Sequence, residues 1–398
     1  MKNKLTIFLL FFISSSVISQ ELAPGDFLPD IMISGILNHP EKTIQLNSFR
    51  GKLLILDFWA TWCSPCIQSM AELEKYKKKF GNKLVVIAVS NETKERLKKF
   101  ITNRPTDLWI LSDTNNMFQR YFPHRSIPHT VLIGPDSKIM AITSADNLSA
   151  SILSNALKNL PVHLPLKKDN LKFDIDEYFK ADSSKTESFQ MLAAVEGAGS
   201  MQKIPIKGIF RERRITIVNM TMEGLFRLAF QKSYYLMFNE YDTVKKAYKD
   251  IEKFCIDAWI KEPDKQKLHV YLQQKLNEQF IDVEAVLEKR LMKVLVIKAN
   301  AGSKNLLKPS SKINDQYSAG GSNFDGDGVT INSLADYMEG FGLYAGKVIN
   351  ETAIDGRYEI KFSWQPERPE SLKEEFAKMG LYWEKEEREV EVLIIRKK

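Results

Sequence analysis

The sequence predicts an α/β domain followed by an α+β domain built from two repeated halves. The first observation is the apolar run LLILDFW at residues 53–59. It is short and too apolar to face water on either side, which is typical of a buried central strand in an α/β sheet. The second is an amphipathic helix pattern that follows this run directly. The third is a strand-turn-helix pattern at residues 254–280 that recurs at residues 358–383.

The chain begins with a pattern that is typical of a signal peptide. Lys2 and Lys4 precede a short apolar run, and small residues follow it up to Ser19. The run is short for a membrane span, although a retained membrane anchor is the alternative. We therefore expect residues 1–19 to direct export, with cleavage near Ser19, and we expect the protein to be periplasmic or in the cell envelope.

Two cysteines with two residues between them mark the most distinctive stretch of the chain. Cys63 and Cys66 lie where the apolar strand ends and the helix begins, and Pro65 suits a first helical turn. At a helix N-terminus, unpaired backbone N–H groups and the helix dipole favour a thiolate and lower the pKa of a cysteine thiol. We expect Cys63 to be the attacking nucleophile and Cys66 the resolving thiol of a redox-active disulfide.

A structural zinc site is the competing interpretation of this cysteine spacing. Such a site needs two further Cys or His ligands at short spacing. The only other cysteine is Cys255, and the five histidines show no ligand spacing. We therefore predict no metal and no other cofactor. Three cysteines in 398 residues are also too few for a scaffold held by disulfides, so the pair is interpreted as catalytic.

The segment FWATWCSPC at residues 58–66 resembles the active-site segment of the thioredoxin superfamily, and especially of its TlpA-like branch of exported disulfide reductases. The resemblance extends over residues 24–160 and includes a later segment, SIPHTVLIGPDSKI. It implies that residues 22–160 form a thioredoxin-like domain. The first domain of the predicted fold class is therefore a thioredoxin-like α/β domain.

The same resemblance implies a substrate-binding loop near the cysteines. It indicates that Pro128, preceded by Ile127, is a cis-proline that faces the disulfide, whereas most prolines are trans. The loop precedes a predicted central strand, where its backbone could pair with an extended substrate segment. Ile127 and Trp62 would then contact the substrate, and simple packing is the alternative for Trp62.

Asp57 places a carboxylate inside the apolar strand. This is costly unless the carboxylate is paired or its raised pKa has a use, and a solvated edge position is the alternative. Thioredoxins carry an acid at this position, six residues before the first cysteine, whereas many TlpA-like proteins have an amide there. The resemblance to thioredoxin implies that Asp57 is the general base for Cys66.

The remaining elements of the first domain follow a thioredoxin-like order. We predict strands at residues 84–89, 108–111, 130–133 and 139–142, and helices at residues 93–102, 115–121 and 148–160. Residues 161–185 contain prolines and charges without a sustained period, so we predict a linker there.

Residues 186–398 are predicted to form the second domain, of the α+β class. Each copy of its repeat contains an alternating strand, a turn with proline and an amphipathic helix, and each is preceded by a further strand and helix. A Ser-, Gly- and Asn-rich segment at residues 301–328 is predicted to be a flexible connection. Cys255 shares a strand face with Asp257, so we expect partial exposure of its thiol. This half resembles a soil-bacterial domain of unknown function that is found fused to TlpA-like domains, and binding is the role we expect for it.

We expect an extracytoplasmic thiol-disulfide oxidoreductase that reduces protein disulfides and is re-reduced by an unidentified membrane electron donor. Reduction is favoured because strongly oxidising relatives usually carry His where Pro65 stands; a disulfide oxidase or isomerase is one alternative. The other is an envelope binding or adaptor protein whose residues 186–398 recognise a partner. The net charge is +7, but the lysines are spread over helix faces, so we expect no nucleic acid partner.

Overall fold

The computed structural model of the chain describes residues 21–41, 43–241, 251–320, 322–340 and 343–398. The predicted signal peptide at residues 1–19 lies outside the described residues. No helix within the described ranges is long and apolar enough to cross a membrane.

The N-terminal half contains seven strands and five α-helices among its described residues. They are β1 (Met32–Ser34), β2 (Thr43–Gln45), β3 (Leu53–Phe58), α1 (Ser64–Phe80), β4 (Leu84–Ser90), α2 (Lys94–Asn103), β5 (Trp109–Ser112), α3 (Met117–Tyr121), β6 (His129–Ile133), β7 (Ile139–Thr143), α4 (Ala150–Ala156) and α5 (Ile175–Tyr178).

A five-stranded sheet of order β5-β4-β3-β6-β7 forms the centre of this half. β3 is parallel to β4 and antiparallel to β6, and all six of its residues are buried. Leu53 and Ile55 pack with the helix side chains of α1, α2 and α4, whereas Leu54 and Leu56 pack on the opposite face with α3 and the N-terminal segment. The predicted buried central strand is confirmed.

The C-terminal half is richer in strands. It contains β8 (Ser188–Ala193), β9 (Met201–Lys203), β10 (Arg214–Thr221), α6 (Met222–Ala229), β11 (Met237–Asn239), β12 (Lys253–Trp259), α7 (Lys265–Gln279), β13 (Val283–Ala299), β14 (Lys308–Pro309), β15 (Gln316–Gly320), β16 (Asn323–Val329), α8 (Ile331–Gly340), β17 (Val348–Asn350), β18 (Tyr358–Ser363), α9 (Glu370–Lys378) and β19 (Leu381–Lys397).

These strands form three four-stranded sheets. Two of them have the orders β8-β12-β10-β9 and β14-β18-β16-β15. In the third, of order β11-β19-β13-β17, the long strands β13 and β19 pair antiparallel along their whole length. The order of elements from β10 to β13 occurs again from β16 to β19.

The prediction of a flexible connection at residues 301–328 is wrong. This segment contains β14, β15 and most of β16, which pairs with both β15 and β18. Glycine occupies inward positions of β16, so the sequence lacks the apolar alternation that normally reveals a strand. A Cβ on Gly326 would lie 2.5 Å from Val329 and 2.8 Å from Phe324, so a larger residue does not fit there.

Candidate redox site

Cys63 and Cys66 form a disulfide at the first turn of α1, with their Cα atoms 5.3 Å apart. Cys63 is the N-cap residue of the helix, and its Sγ accepts a hydrogen bond from the backbone N–H of Cys66 at 3.3 Å. Pro65 stands in the first turn, where the missing N–H of proline costs no helical hydrogen bond. Once the disulfide is reduced, the backbone N–H of Cys66 would stabilise a Cys63 thiolate.

The two sulfur-bearing residues differ from their neighbour Trp62 in exposure. Cys63 is 5% exposed and Cys66 is completely buried, whereas Trp62 is 53% exposed. An incoming molecule therefore meets the Trp62 side chain before it reaches the sulfur atoms. Such an exposed aromatic side chain beside a reactive group is a suitable contact for another protein.

Asp57 lies at the end of β3, and its side chain is completely buried. One carboxylate oxygen accepts a hydrogen bond of 2.7 Å from the Thr130 hydroxyl, and the other has no partner among the described residues. Burial raises the pKa of Asp57 to about 7, with a further contribution from the charge of Asp146, although the Thr130 bond opposes the rise. Asp57 can therefore gain or lose a proton near neutral pH.

The Ile127–Pro128 peptide bond is cis. Ile127 packs against the apolar cluster that contains both cysteines. A groove of about 430 Å³ lies beside this loop, and Trp62 forms part of its wall. Its other lining residues are Phe58, Trp59, Ala60, Val89, Asn91, Asp113, Asn116, Gln119, His124, Arg125 and Ile127.

Two histidines flank the loop and stack on each other with their ring centroids 4.5 Å apart. Burial lowers the pKa of His129 to about 3, and the neighbouring His124 and Lys167 lower it further. Burial also lowers the pKa of His124. Both rings are therefore neutral near pH 7, and both contact Phe58 as packing elements.

The turn before Cys63 is held by a hydrogen-bond network that the sequence analysis missed. Glu92 accepts bonds of 2.7 Å from both the backbone N–H and the hydroxyl of Thr61. Arg96 donates from its Nε to the Thr61 hydroxyl at 2.9 Å. A Thr directly before Trp62 was visible in the sequence, but its partners lie 31 and 35 residues further along the chain.

Comparison with known proteins places this site in a family. Residues 24–142 match the AhpC/TSA family. The thioredoxin-like protein YneN of Bacillus subtilis is 44% identical over 75 residues, which are 19% of this chain and 42% of that protein. The thiol-disulfide oxidoreductase ResA of Bacillus thuringiensis subsp. konkukian is 30% identical over 123 residues, which are 30% of this chain and 69% of that protein. The chain belongs to the thioredoxin-like thiol-disulfide oxidoreductases.

The second half of this family member matches a different model. Residues 229–397 match the family described as Protein of unknown function (DUF3738).

Among solved structures, a thiol:disulfide interchange protein from Bacteroides sp. is 26% identical, with a TM-score of 0.28, and the match covers 34% of this chain and 90% of that one. The resemblances stated for the two halves of the sequence are confirmed.

The predicted partial exposure of the third cysteine, Cys255, is wrong. Cys255 shares a face of β12 with Asp257, as expected, but its side chain is completely buried. It packs with Phe179 and Val218, and its sulfur lies 3.5 Å from the side chain of Asn219. Phe179 belongs to the predicted linker, and the sequence could not show that this segment covers the polar face of the strand.

Within the described ranges, no group of three His, Cys, Asp or Glu residues is placed to hold a metal ion.

Proposed function

We propose that the protein is an exported thiol-disulfide oxidoreductase that reduces disulfides in other proteins. The observation that carries this proposal is the Cys63–Cys66 disulfide at the first turn of α1, beside an exposed Trp62. Relatives named thiol-disulfide oxidoreductases support the reaction type. The leader-like pattern of residues 1–19 supports export to the periplasm or cell envelope.

The reaction passes two electrons from the enzyme to the substrate. The Cys63 thiolate attacks one sulfur of the substrate disulfide, that S–S bond breaks, and the leaving sulfur takes up a proton as a thiol. Cys66 then loses its proton and attacks the Cys63 sulfur, which releases the second substrate thiolate and forms the Cys63–Cys66 disulfide. A membrane electron donor of the dithiol class must return two electrons before the next cycle.

Asp57 is proposed to accept the proton of Cys66 during this second step. Its burial, its oxygen without a partner and a pKa of about 7 suit a group that takes a proton near neutral pH. Trp62, Ile127 and Pro128 are proposed to contact the substrate, and the groove that Trp62 and Ile127 share supports this role.

We propose that the redox reaction and partner binding belong to different parts of the chain. Residues 22–160 carry the redox site, residues 161–185 connect the halves, and residues 186–398 bind without catalysing. The C-terminal half is proposed to consist of two repeated halves that share a core through the paired strands β13 and β19. The recurring order of elements and the exchange of β11 and β17 onto the strands of the other half support this arrangement.

A trapping experiment tests the reaction. Cys66→Ala removes the resolving thiol, so this variant should hold its protein substrates as mixed disulfides that dissociate on treatment with dithiothreitol. Cys63→Ser should trap nothing, and Cys255→Ser in the Cys66→Ala background should trap as much as Cys66→Ala alone. Equal trapping by Cys63→Ser and Cys66→Ala would contradict the assignment of Cys63 as nucleophile.

A further inference from the structure

A buried ion pair joins the C-terminal half to the redox half close to the cysteines. Arg96 of α2 donates from both terminal nitrogens to the two carboxylate oxygens of Glu367, each at 2.7 Å. The Arg96 side chain is 16% exposed and that of Glu367 is 1% exposed. Burial alone would raise the pKa of Glu367, but the hydrogen bonds and charge of Arg96 outweigh it and hold that pKa below its ordinary value. Paired in this way, Glu367 is held as a carboxylate.

This ion pair is continuous with the turn that carries the nucleophile. The third nitrogen of the Arg96 guanidinium, Nε, donates to the hydroxyl of Thr61, which is completely buried. Thr61 lies two residues before Cys63. A path of direct hydrogen bonds therefore runs from Glu367, in the turn between β18 and α9, to the residue next to Trp62.

A groove of about 540 Å³ lies beside this ion pair, with one wall from each half of the chain. Trp62 lines it, and so does the end of β18 at Ser363. The redox half contributes Thr93, Arg96 and Lys99 to its lining, and the C-terminal half contributes Gln365, Arg368 and Glu374. Trp62 is also part of the groove beside Ile127, so the two grooves meet at this side chain.

The opposite edge of the redox site is tied to the following segment of the chain. Lys167 donates to the carbonyl of Ser126 at 2.8 Å, and Asp169 accepts from the backbone N–H of Arg125 at 2.8 Å. The next residue, Asn170, donates its backbone N–H to the carbonyl of Gly197 at 2.8 Å. Contacts with residues beyond the redox domain thus hold both the Thr61 turn and the loop before Pro128.

We propose that the C-terminal half is part of the substrate-binding site. The groove between the halves holds an extended segment of the substrate polypeptide, next to its disulfide. Glu367 positions the C-terminal wall of this groove through its ion pair with Arg96. The occupant is a polypeptide because Trp62, which adjoins Cys63 in the chain, lines the groove together with residues of the C-terminal half. Its lining contains amide, hydroxyl and charged groups, which suit a polar main chain. A small disulfide can react at Cys63 without entering this groove.

The inference rests on the proposed reduction of protein disulfides, and one experiment separates the two. The full-length enzyme is reduced, freed of reductant and mixed with either insulin or hydroxyethyl disulfide, and its oxidation is followed by tryptophan fluorescence. The quantity of interest is the ratio of the second-order rate constants for the two oxidants. Glu367→Gln keeps the shape of the side chain but removes the charge that holds Arg96, so this ratio should fall by about tenfold.

Two further variants make the test decisive. Glu370→Gln is the matched control, because Glu370 forms an exposed pair with Lys373 at 3.0 Å and does not line the groove; the ratio should stay at its wild-type value. Ser363→Trp places bulk into the groove from an exposed position of β18, so it should lower the ratio even if Glu367→Gln unfolds.

The outcomes separate cleanly. A wild-type enzyme that reacts with neither oxidant refutes the proposed function. If wild type reacts with both and neither Glu367→Gln nor Ser363→Trp changes the ratio, the groove does not bind substrate. If both rate constants fall equally in both variants, the contact only supports the fold of the redox site, and the inference is likewise overturned.

Discussion

Each half of the molecule buries an aspartate in a central strand, and the two carboxylates have different hydrogen-bond partners. Asp257 of β12 is 3% exposed, and Arg214 donates to both of its oxygens, at 2.8 and 3.0 Å. Asp57 of β3 is completely buried, receives only the Thr130 hydroxyl, and has one oxygen without a partner among the described residues. Among the described residues, Asp257 thus has a pairing cation and Asp57 has none.

The difference fits a structural role for Asp257 and the proposed proton-transfer role of Asp57. Burial raises the pKa of Asp257, but Arg214 opposes that rise through hydrogen bonds and charge, so the carboxylate fixes the strand to its neighbour β10. Arg214 also donates to the carbonyl of Phe179 at 2.7 Å and so holds the preceding segment. Asp57 has no such partner in the part of the chain that the structure describes, and its raised pKa lets it exchange a proton near neutral pH. A buried acid without a pairing cation, in the strand that leads to the disulfide-bearing helix, is therefore a better indicator of function than a paired one.

The largest effect should come from breaking the paired aspartate. Asp257→Asn leaves Arg214 buried without its counter-charge, so we expect a loss of about 3–5 kcal/mol in the free energy of unfolding of the C-terminal half. Urea denaturation measures this loss. The double variant Asp257→Leu with Arg214→Met removes both charges and should recover much of it. A stable Asp257→Asn single variant would show that the two aspartates are less different than their surroundings indicate.

The opposite sign is expected for the unpaired aspartate. Because folding raises the pKa of Asp57 from 3.8 to about 7, the folded chain binds this proton more tightly and loses stability as the pH rises between these values. Asp57→Asn removes the penalty, so it should stabilise the protein above pH 7, by no more than about 4 kcal/mol, and show little gain near pH 4. Unfolding curves across this range decide it. A variant with the pH profile of wild type would mean that Asp57 is not buried as a titrating acid.

The same substitution should slow the second step of the reaction. Cys66 is completely buried and needs a proton acceptor, whereas Cys63 keeps its helix-terminal N–H partner, so mixed disulfide should accumulate in Asp57→Asn. We expect resolution to slow by about a hundredfold at neutral pH, as for the loss of a general base. Rapid-quench trapping of the mixed disulfide measures the rate. Resolution at the wild-type rate would make Asp57 a structural residue, like Asp257.

The smallest effect concerns the two thiols themselves. In the reduced protein near neutral pH, an alkylating reagent should label Cys63 at least about tenfold faster than Cys66, because only Cys63 caps the helix and has any exposed surface. Mass spectrometry of partly labelled protein gives both rates, and the buried Cys255 serves as an internal reference for an unreactive thiol. Equal labelling of the two thiols would remove their distinct roles.

Local patterns predicted the redox half well. The apolar run that became β3, the cysteine pair and the amphipathic helix all depend on neighbouring residues, and the structure has each in place. The cis bond before Pro128 was implied only by the family resemblance. The hairpin of β1 and β2 carried too few residues to show a period.

The C-terminal half and the contact between the halves depended on distant residues. Glu367 lies 271 residues from Arg96, so no local pattern could pair them. Residues 301–328 appeared flexible because glycines such as Gly326 fill the inward positions of a strand. Cys255 appeared partly exposed because the segment that covers it, at Phe179, has no periodic pattern of its own. The two repeated halves of this domain stay a prediction.

The most direct test of the reductase assignment is the midpoint potential of the Cys63–Cys66 couple. The full-length protein is equilibrated with dithiothreitol buffers of defined potential, and the oxidised fraction is measured by thiol labelling. A reductase of this kind should titrate near the thioredoxin value of about −270 mV. A midpoint above about −180 mV, toward the about −120 mV of strong oxidants, would contradict the assignment and make the protein an oxidase or isomerase.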